Sequence, residues 1–222
     1  MITRLPRWVV FYAWILAFMA GIINVVGFMS FEHQAITHLT GTTSMLSAAI
    51  VDTNLSLALH LLCIIGSFFL GAVVSGMIIR DSTLKLGLRY GVALLIESAA
   101  LVLAVYFLKQ QSPIGIYLAG AACGLQNAMA STFSGTVIRT SHVTGMFTDL
   151  GIFLGHYMRG VAIERRRLVL SLVVISGFFS GGISGALGFA VWHFSVLYIP
   201  ALLAFALALV YGYYRRNNPA IS

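Results

Sequence analysis

Charge is what this sequence lacks most. Asp, Glu, Lys and Arg make up only 9% of its 222 residues, while 59% of the residues are hydrophobic. A soluble domain carries roughly 25% charged residues, so this composition excludes a disordered chain and a coiled coil. The acidic residues number six and the basic residues 13, but the basic excess is scattered between apolar segments instead of clustered, which argues against nucleic-acid binding. The composition is that of an integral membrane protein.

Cysteine and the common catalytic motifs are also scarce. Cys63 and Cys123 both lie inside apolar segments, so we expect no disulfide scaffold. No His-x-x-His or Glu-x-x-His spacing is present for a metal ion, and phosphate-loop, Gly-x-Ser-x-Gly and zinc-protease motifs are absent. We therefore expect no metal, no cofactor and no enzymatic activity.

Long hydrophobic runs, in contrast, fill most of the chain. A helix needs roughly 17–25 apolar residues to cross the bilayer core. Two shorter or more polar segments, 36–52 and 139–157, are either full spans, which gives eight, or re-entrant segments between six spans. The six segments that are long and apolar enough are 8–31, 55–79, 90–108, 114–133, 168–192 and 194–214.

The positions of the basic residues decide between six and eight spans. With a cytoplasmic N-terminus and two re-entrant segments, every basic residue except Lys109 falls on the cytoplasmic side, as the positive-inside rule prefers. With eight spans, the loop that contains Arg80, Lys85 and Arg89 falls outside. The sequence therefore predicts six transmembrane helices with both termini in the cytoplasm.

The two halves of the sequence resemble each other. Each half has three spans, an odd number, so the second half enters the membrane from the opposite side, as in many secondary transporters. We therefore predict an all-α protein with a single transmembrane domain, 1–222, built from two inverted repeats at about 8–108 and 114–214. Three motifs recur in the same order, the first two at offsets of 103 and 104: Gly-x-x-Asn at 21–24 and 124–127, His-x-Thr-Gly at 38–41 and 142–145, and Phe-Phe-x-Gly at 68–71 and 178–181.

The repeated His-x-Thr-Gly motif is expected near the membrane midplane. Thr40 is predicted to cap a short helix from about residue 42, and Thr144 and Gly145 to start a second helix from about residue 146. Both helix N-termini then point into the middle of the membrane, where they favour an anion or a polar neutral solute. The predicted substrate-binding residues are Asn24, His38, Thr40, Gly41, Thr42, Asn127, His142, Thr144 and Gly145.

Two acidic residues are candidates for proton coupling. Asp149 lies in the second polar segment and Glu97 in the middle of a predicted span, and ionisable groups are costly at this depth. The alternative is a buried ion pair, with Arg139 as the partner, that stabilises the fold. For the hydroxyl residues and the two asparagines the alternative is helix packing and helix–helix hydrogen bonding.

The motifs at 21–28, 37–44, 124–127 and 139–145 together resemble the YoaK-like family of bacterial membrane proteins, which is catalogued as a domain of unknown function with about six spans. The resemblance extends over essentially the whole chain. It implies a location in the bacterial cytoplasmic (inner) membrane and supplies no substrate.

The function predicted from the residues is that of a small-solute transporter or channel with a site between the two Thr-Gly helix starts. Coupling to protons distinguishes the transporter from the channel. The alternatives are a membrane-embedded enzyme for a lipid or lipid-linked substrate, and a structural or regulatory membrane subunit. The predicted partners are the lipid bilayer and a small solute, without nucleic acid, and a homodimer is left open.

Overall fold

The computed structural model describes residues 7–31, 33–79, 88–134 and 139–217. Over these residues the chain forms eight α-helices and one short 3-10 helix, His193–Leu197, without any β-strand. The predicted cytoplasmic positions of Arg80 and Lys85 lie outside the described residues. The helices are α1 (Arg7–Met29), α2 (Leu39–Val51), α3 (Leu55–Ile78), α4 (Leu88–Lys109), α5 (Ile114–Ser134), α6 (Val143–Met158), α7 (Arg165–Trp192) and α8 (Tyr198–Asn217).

Four stretches of the described residues are long and apolar enough to cross a bilayer: Trp8–Met29, Leu55–Ile78, Arg89–Lys109 and Arg165–Tyr213. The last has 49 residues and contains both α7 and α8, whereas one crossing takes roughly 20 residues. Helix α5 has 21 residues, but Gln126 and Asn127 lower its hydropathy and it is not among these stretches. The prediction of an all-α membrane protein is confirmed, and the count of six spans stays a prediction.

The two polar segments form the short helices α2 and α6, which have 13 and 16 residues. At 1.5 Å per residue they measure about 20 and 24 Å, less than the roughly 30 Å of a bilayer core. Helix α2 packs on α3, and α6 packs on α7. Both helices begin earlier than predicted, at Leu39 and Val143, so the prediction of Thr40 as N-cap is wrong.

Helix α1 packs most extensively on α7, and the two helices run parallel. Gly177 faces the carbonyl oxygen of Trp14, and one turn later Gly181 faces that of Phe18. A Cβ atom on Gly181 would overlap this oxygen. Glycine therefore allows the two backbones to touch, which is a common way of packing helices in a membrane.

Helices α3 and α5 form the second extensive pair. A Cβ atom on Gly124 of α5 would overlap the carbonyl oxygen of Phe68 on α3. Two turns before these residues on both helices, His60 Nδ1 and the Tyr117 hydroxyl group form a 2.8 Å hydrogen bond. Helices α3 and α5 therefore also run parallel and touch through their backbones.

The buried apolar residues form two clusters at opposite ends of the helix bundle. The first contains the N-terminal halves of α1, α4 and α7 with the C-terminal ends of α3, α5 and α8. The second contains the opposite halves of α1, α3, α4, α5 and α8, and Phe189 from the C-terminal half of α7 packs against it. The six long helices therefore alternate in direction along the chain. Representative residues are Val9, Leu94, Leu125, Val174 and Ala208 in the first cluster and Ile23, Leu61, Leu101, Ile116 and Ala201 in the second.

Candidate functional site

A side chain from the C-terminal half of α1 positions the segment that leads into α2. The Asn24 Oδ1 atom accepts hydrogen bonds from the Thr37 backbone N–H at 3.0 Å and from the Thr37 hydroxyl group at 2.8 Å. Thr37 is buried, so its backbone N–H group needs such a partner. Asn24 therefore holds the segment before α2 through these two hydrogen bonds.

Asn127 of α5 has the same role for the segment that leads into α6. Its Oδ1 atom accepts from the Ser141 N–H at 3.3 Å and from the Thr140 hydroxyl group at 3.1 Å. Its Nδ2 group donates to the Ser141 hydroxyl oxygen at 2.9 Å and to the Cys123 carbonyl at 3.1 Å. Unlike Asn24, Asn127 also lines a cavity.

Two histidines stand at the N-cap positions of the short helices. The His38 carbonyl accepts the first helical hydrogen bond of α2 from Thr42 N–H at 3.3 Å, and the His142 carbonyl accepts that of α6 from Met146 N–H at 3.2 Å. Neither imidazole caps its own helix. The N–H groups of the first turn, which precede Thr42 and Met146, therefore have no partner within their helix.

A glycine three residues after each histidine makes room for the imidazole ring. A Cβ atom on Gly41 would lie 2.8 Å from His38 Cδ2, and one on Gly145 would overlap the ring of His142. Both rings therefore lie against the first turn of their helices. The glycine at each position therefore accommodates the histidine side chain that precedes it.

The two segments that precede α2 and α6 meet at one cavity, which we call the central cavity. Its volume is about 490 Å³, and it is bounded by residues 37–40, residues 139–144 and the middle of α3 and α5. This size suits a small solute, because ligand sites commonly measure roughly 300–1,000 Å³. Of the predicted site residues, the central cavity brings together His38, Thr40, Asn127, His142 and Thr144.

The other predicted site residues do not line the central cavity. Gly41 lies against His38, and Thr42 is buried, with its hydroxyl group 3.3 Å from the His38 carbonyl. Asn24 is hydrogen-bonded to Thr37 in the segment before α2. Gly145 lines a neighbouring cavity.

Most hydroxyl groups of α2 are used within the helix itself. Thr43, Ser44 and Ser47 each donate to the carbonyl oxygen four residues earlier, at 2.8, 3.1 and 3.0 Å. This back-bonding satisfies a hydroxyl group in an apolar environment. The hydroxyl-rich appearance of α2 in the sequence therefore exaggerates how many of its side chains face a solute.

The neighbouring cavity lies between α6 and the first turns of α7, and we call it the side cavity. It measures about 320 Å³ and shares Arg139 and His142 with the central cavity. Asp149, predicted as a proton carrier, lies here together with Arg167 and Ser171. The sequence indicated Arg167 only as a topology determinant, and Ser171 was missed because the packing of α6 on α7 has no sequence signature.

Glu97, the second predicted proton carrier, lies elsewhere. It is fully buried on α4, and within the described residues neither carboxylate oxygen has a hydrogen-bond partner. The carboxyl group is near enough to Tyr12 and Cys123 for electrostatic interaction. Glu97 is part of neither cavity, so the two acidic candidates are not brought together.

The chain belongs to the family described as protein of unknown function (DUF1275), whose model matches residues 12–210. This confirms the resemblance to an uncharacterised family that the motifs indicated. No curated protein and no solved structure matches the chain.

Proposed function

We propose that this protein is a membrane transporter for a small anion or a small polar neutral solute, with the central cavity as its substrate site. The observation that carries the proposal is the convergence of two helix N-termini, from the two halves of the chain, on one cavity lined by His38, Thr40, His142 and Thr144. Short helices whose N-termini point at the substrate site are typical of secondary transporters.

An inverted repeat is part of the proposal. The contact of Gly21 with the Phe178 carbonyl has its counterpart in the contact of Gly124 with the Phe68 carbonyl. Gly124 follows Gly21 by 103 positions, and Phe178 follows Phe68 by 110. The repeat motifs found in the sequence thus correspond to equivalent contacts in two different helix pairs, which supports a common architecture of the two halves.

Six spans with both termini in the cytoplasm are the topology we propose. The six long helices alternate in direction along the chain, so that each one runs from one apolar cluster to the other. This alternation supports six spans, because it leaves no crossing for α2 or α6 to make. Arg89, Arg165 and Arg216 lie at helix ends that belong to the first cluster, whereas Lys109 lies at an end that belongs to the second. This distribution matches the positive-inside rule, with the first cluster on the cytoplasmic side.

The charge around the central cavity favours a negative or neutral solute. Each exposed helix N-terminus stabilises an anion by about 0.3–1 kcal/mol, and by up to about 2 kcal/mol when partly buried. Arg139 adds a full positive charge, and the residues that line the cavity include no Asp or Glu. The lining of the cavity therefore argues against a cation as substrate.

Coupling to protons is the remaining part of the proposal. Asp149 is the nearer candidate, because it lines the side cavity together with Arg139 and His142, which also border the substrate site. Glu97 is the second candidate, since a buried carboxyl group without a hydrogen-bond partner is costly to ionise. A transporter of this kind takes up solute in a saturable manner that depends on the proton gradient, whereas a channel does not.

The test is uptake by the purified protein in proteoliposomes under an imposed pH gradient, with acetate, glycerol and rubidium as an anion, a neutral solute and a cation. Saturable uptake of acetate or glycerol that is lost in Asp149→Asn or Glu97→Gln is the expected result. A pH-independent flux of rubidium that survives both substitutions would contradict the proposal.

A matched pair of substitutions locates the site. Thr144 lines the central cavity, while Thr148, one turn later, donates its hydroxyl group to the Thr144 carbonyl at 3.0 Å and does not line it. Thr144→Val is expected to reduce uptake at least tenfold and Thr148→Val to leave it within about twofold, as expected when a buried substrate hydrogen bond is lost. Equal effects of the two would place the site elsewhere.

A further inference from the structure

Two fully buried polar side chains lie on the packed helices α4 and α5 and are left without hydrogen bonds. Within the described residues, neither carboxyl oxygen of Glu97 on α4 has a hydrogen-bond partner, and neither has Gln126 Nε2 on α5. Buried polar atoms are nearly always hydrogen-bonded, and each exception in a protein needs an explanation. Two exceptions on neighbouring helices indicate a polar site in the interior of the bundle.

The positions of the two side chains along their helices bring them towards each other. The Glu97 carboxyl group is near enough to Cys123 of α5 for electrostatic interaction. Gln126 follows Cys123 by three residues, so both residues lie on the same face of α5. Side chains in a helix lean towards its N-terminus, which turns the Gln126 amide group back to the level of Cys123. Gln126 is therefore the polar side chain of α5 that faces Glu97.

The other end of the Gln126 amide group is connected to the central cavity. Gln126 Oε1 accepts a hydrogen bond from the Thr140 hydroxyl group at 3.2 Å, and the same hydroxyl group is 3.1 Å from Asn127 Oδ1. Thr140 is fully buried, and Asn127 lines the central cavity. A path of polar groups thus leads from Gln126 through Thr140 to the wall of the proposed substrate site.

We propose that Glu97 holds a proton and that Gln126 and Thr140 connect this carboxyl group with the central cavity, where Asn127 responds to the state of the proton. The inference rests on the proposed function and selects Glu97 from its two candidate proton carriers. A carboxyl group among apolar neighbours keeps its proton because the ionised form would lose its hydration. Gln126 and Thr140 are positioning residues, because they do not line the cavity and act on it through Asn127.

An amide group can bond to both forms of a carboxyl group. Protonated Glu97 donates its O–H to the Gln126 amide oxygen, and the carboxylate that remains when the proton returns to solution accepts from the amide N–H. A change of one side-chain rotamer or a bridging water molecule joins the two groups. With the amide oxygen on Glu97, Nε2 faces Thr140, whose hydroxyl group then donates to Asn127 alone. With the amide N–H on Glu97, Gln126 Oε1 shares that hydroxyl group with Asn127.

The sequence repeat indicates that the fold does not need this polar pair. Gln126 corresponds to Ile23 and Thr140 to Ile36, at offsets of 103 and 104. Both isoleucines are fully buried in the second apolar cluster. The segment before α2 is nevertheless held by its asparagine, as the segment before α6 is. A buried polar pair is costly where two isoleucines suffice, which supports a role other than packing.

The other titratable groups around Glu97 are uncharged near neutral pH. Tyr12 of α1 and Cys123 of α5 interact with Glu97, and Tyr211 of α8 interacts with Tyr12. Phenol and thiol groups ordinarily titrate at about pH 8.5 and above. The titratable groups of α3 and of the 3-10 helix lie in the other half of the bundle, with the second apolar cluster: His60, Cys63 and His193. A protonated carboxyl group at pH 7.5 is therefore assigned to Glu97.

The experiment is infrared spectroscopy of the purified full-length protein in lipid at pH 7.5, which records the C=O stretching band of a protonated carboxylic acid. The wild type is expected to show this band and Glu97→Gln to lack it. Asp52→Asn, at the exposed end of α2, is the matched control and is expected to keep the band. Gln126→Ile is expected to shift the band, because the carboxyl group loses its hydrogen-bond partner.

A double-mutant cycle tests the connection beyond Gln126. Thr140 is not hydrogen-bonded to Glu97, so Thr140→Ile is expected to shift the band only through Gln126 and to have no effect in a Gln126→Ile background. Thr132→Val is the control, because the Thr132 hydroxyl group donates to the Ala128 carbonyl of its own helix at 2.9 Å, and no shift is expected.

The double variant Gln126→Ile/Thr140→Ile reproduces the residues of the first half. It is expected to unfold at the wild-type temperature or above, because an apolar pair that replaces both partners of a buried hydrogen bond leaves no polar atom unsatisfied. In proteoliposomes it is expected to retain solute uptake and to lose the dependence of uptake on the pH gradient. A purely structural pair would give the opposite result, with lower stability and an unchanged pH profile.

Four results would overturn the inference: a wild-type band that is absent or that remains in Glu97→Gln, an unshifted band in Gln126→Ile, equal shifts from Thr140→Ile with and without Gln126, or a double variant that unfolds well below the wild type. The infrared measurements do not depend on transport. The expected infrared pattern without any solute uptake would refute the proposed function alone. Proton-dependent uptake without this pattern would refute the present inference alone.

Discussion

The imidazole ring of His142 occupies the space that a side chain at Gly145 would need. His38 and Gly41 have the same relationship in the other half of the chain. Each pair connects a residue that lines the central cavity with a glycine on the first turn of a short helix. The shape of the site therefore depends on an absent side chain as much as on the groups that are present.

Substitution of this glycine tests the relationship directly. Gly145→Ala is expected to displace the His142 ring and to reduce solute uptake at least tenfold, because small displacements of positioning groups are costly. Gly151→Ala, on the same helix, has open space around the added methyl group. It is expected to leave uptake unchanged and to raise stability by up to about 1 kcal/mol, as alanine does in a helix. Equal uptake by both variants would contradict this assignment.

The glycines of the helix pairs are expected to control stability instead. Gly21→Ala brings a methyl group onto the Phe178 carbonyl oxygen and forces α1 away from α7. We expect a loss of about 1–3 kcal/mol, the usual cost of overpacking, with a similar loss for Gly124→Ala. Gly66→Ala, where the added Cβ meets no atom within 4 Å, is the control. The measurement is thermal unfolding in detergent, and unchanged unfolding of Gly21→Ala would refute the backbone contact.

The hydrogen bonds of Asn24 predict a further loss of stability. Asn24→Leu leaves the buried Thr37 N–H group without its partner, which costs about 1–3 kcal/mol. Thr37→Ser keeps both hydrogen bonds and is expected to change the free energy of unfolding by well under that amount. Reduced uptake by Asn24→Leu at a temperature where it is fully folded would show that the α2 segment also shapes the substrate site. If the two variants unfold alike, the hydrogen bonds do not support α2.

Labelling from the two sides of the membrane distinguishes six spans from eight. In a Cys63→Ala/Cys123→Ala background, Gln111→Cys and Arg159→Cys are treated with a membrane-impermeant maleimide in intact spheroplasts. Six spans place residue 111 outside and residue 159 inside, so only Gln111→Cys reacts before permeabilisation. Eight spans put both residues on the same side, and equal reactivity of the two cysteines would therefore exclude the six-span topology.

Much of the fold could be predicted because the lipid environment leaves few choices. The long apolar runs had to be helices, and the polar segments around residues 36–52 and 139–157 had to differ from them. The repeated His-x-Thr-Gly motif indicated which residues come together, and His38, Thr40, His142 and Thr144 do line one cavity. These features depend on local composition and on motifs that the sequence displays directly.

The remaining features depend on packing that no local pattern encodes. The side cavity exists because Arg167 and Ser171 of α7 lie beside α6, and this register follows from the six-residue connection between the two helices. Thr42 was predicted as a site residue from its neighbours, but helical periodicity turns it into the interior. The position of His38 as the N-cap residue of α2 was not predicted, because histidine is not among the preferred N-cap residues.

The pairing of α1 with α7 also has a consequence for biosynthesis. Helix α1 is made well before α7, yet the two backbones touch at Gly21, Gly177 and Gly181 without intervening side chains. We therefore expect lipid to cover the Gly21 face of α1 until α7 has been inserted. We expect the face of α3 that packs on α5 to be covered by lipid in the same way, for a shorter time, until α5 has been inserted. We expect lipid to leave these faces when α7 packs on α1 and α5 packs on α3.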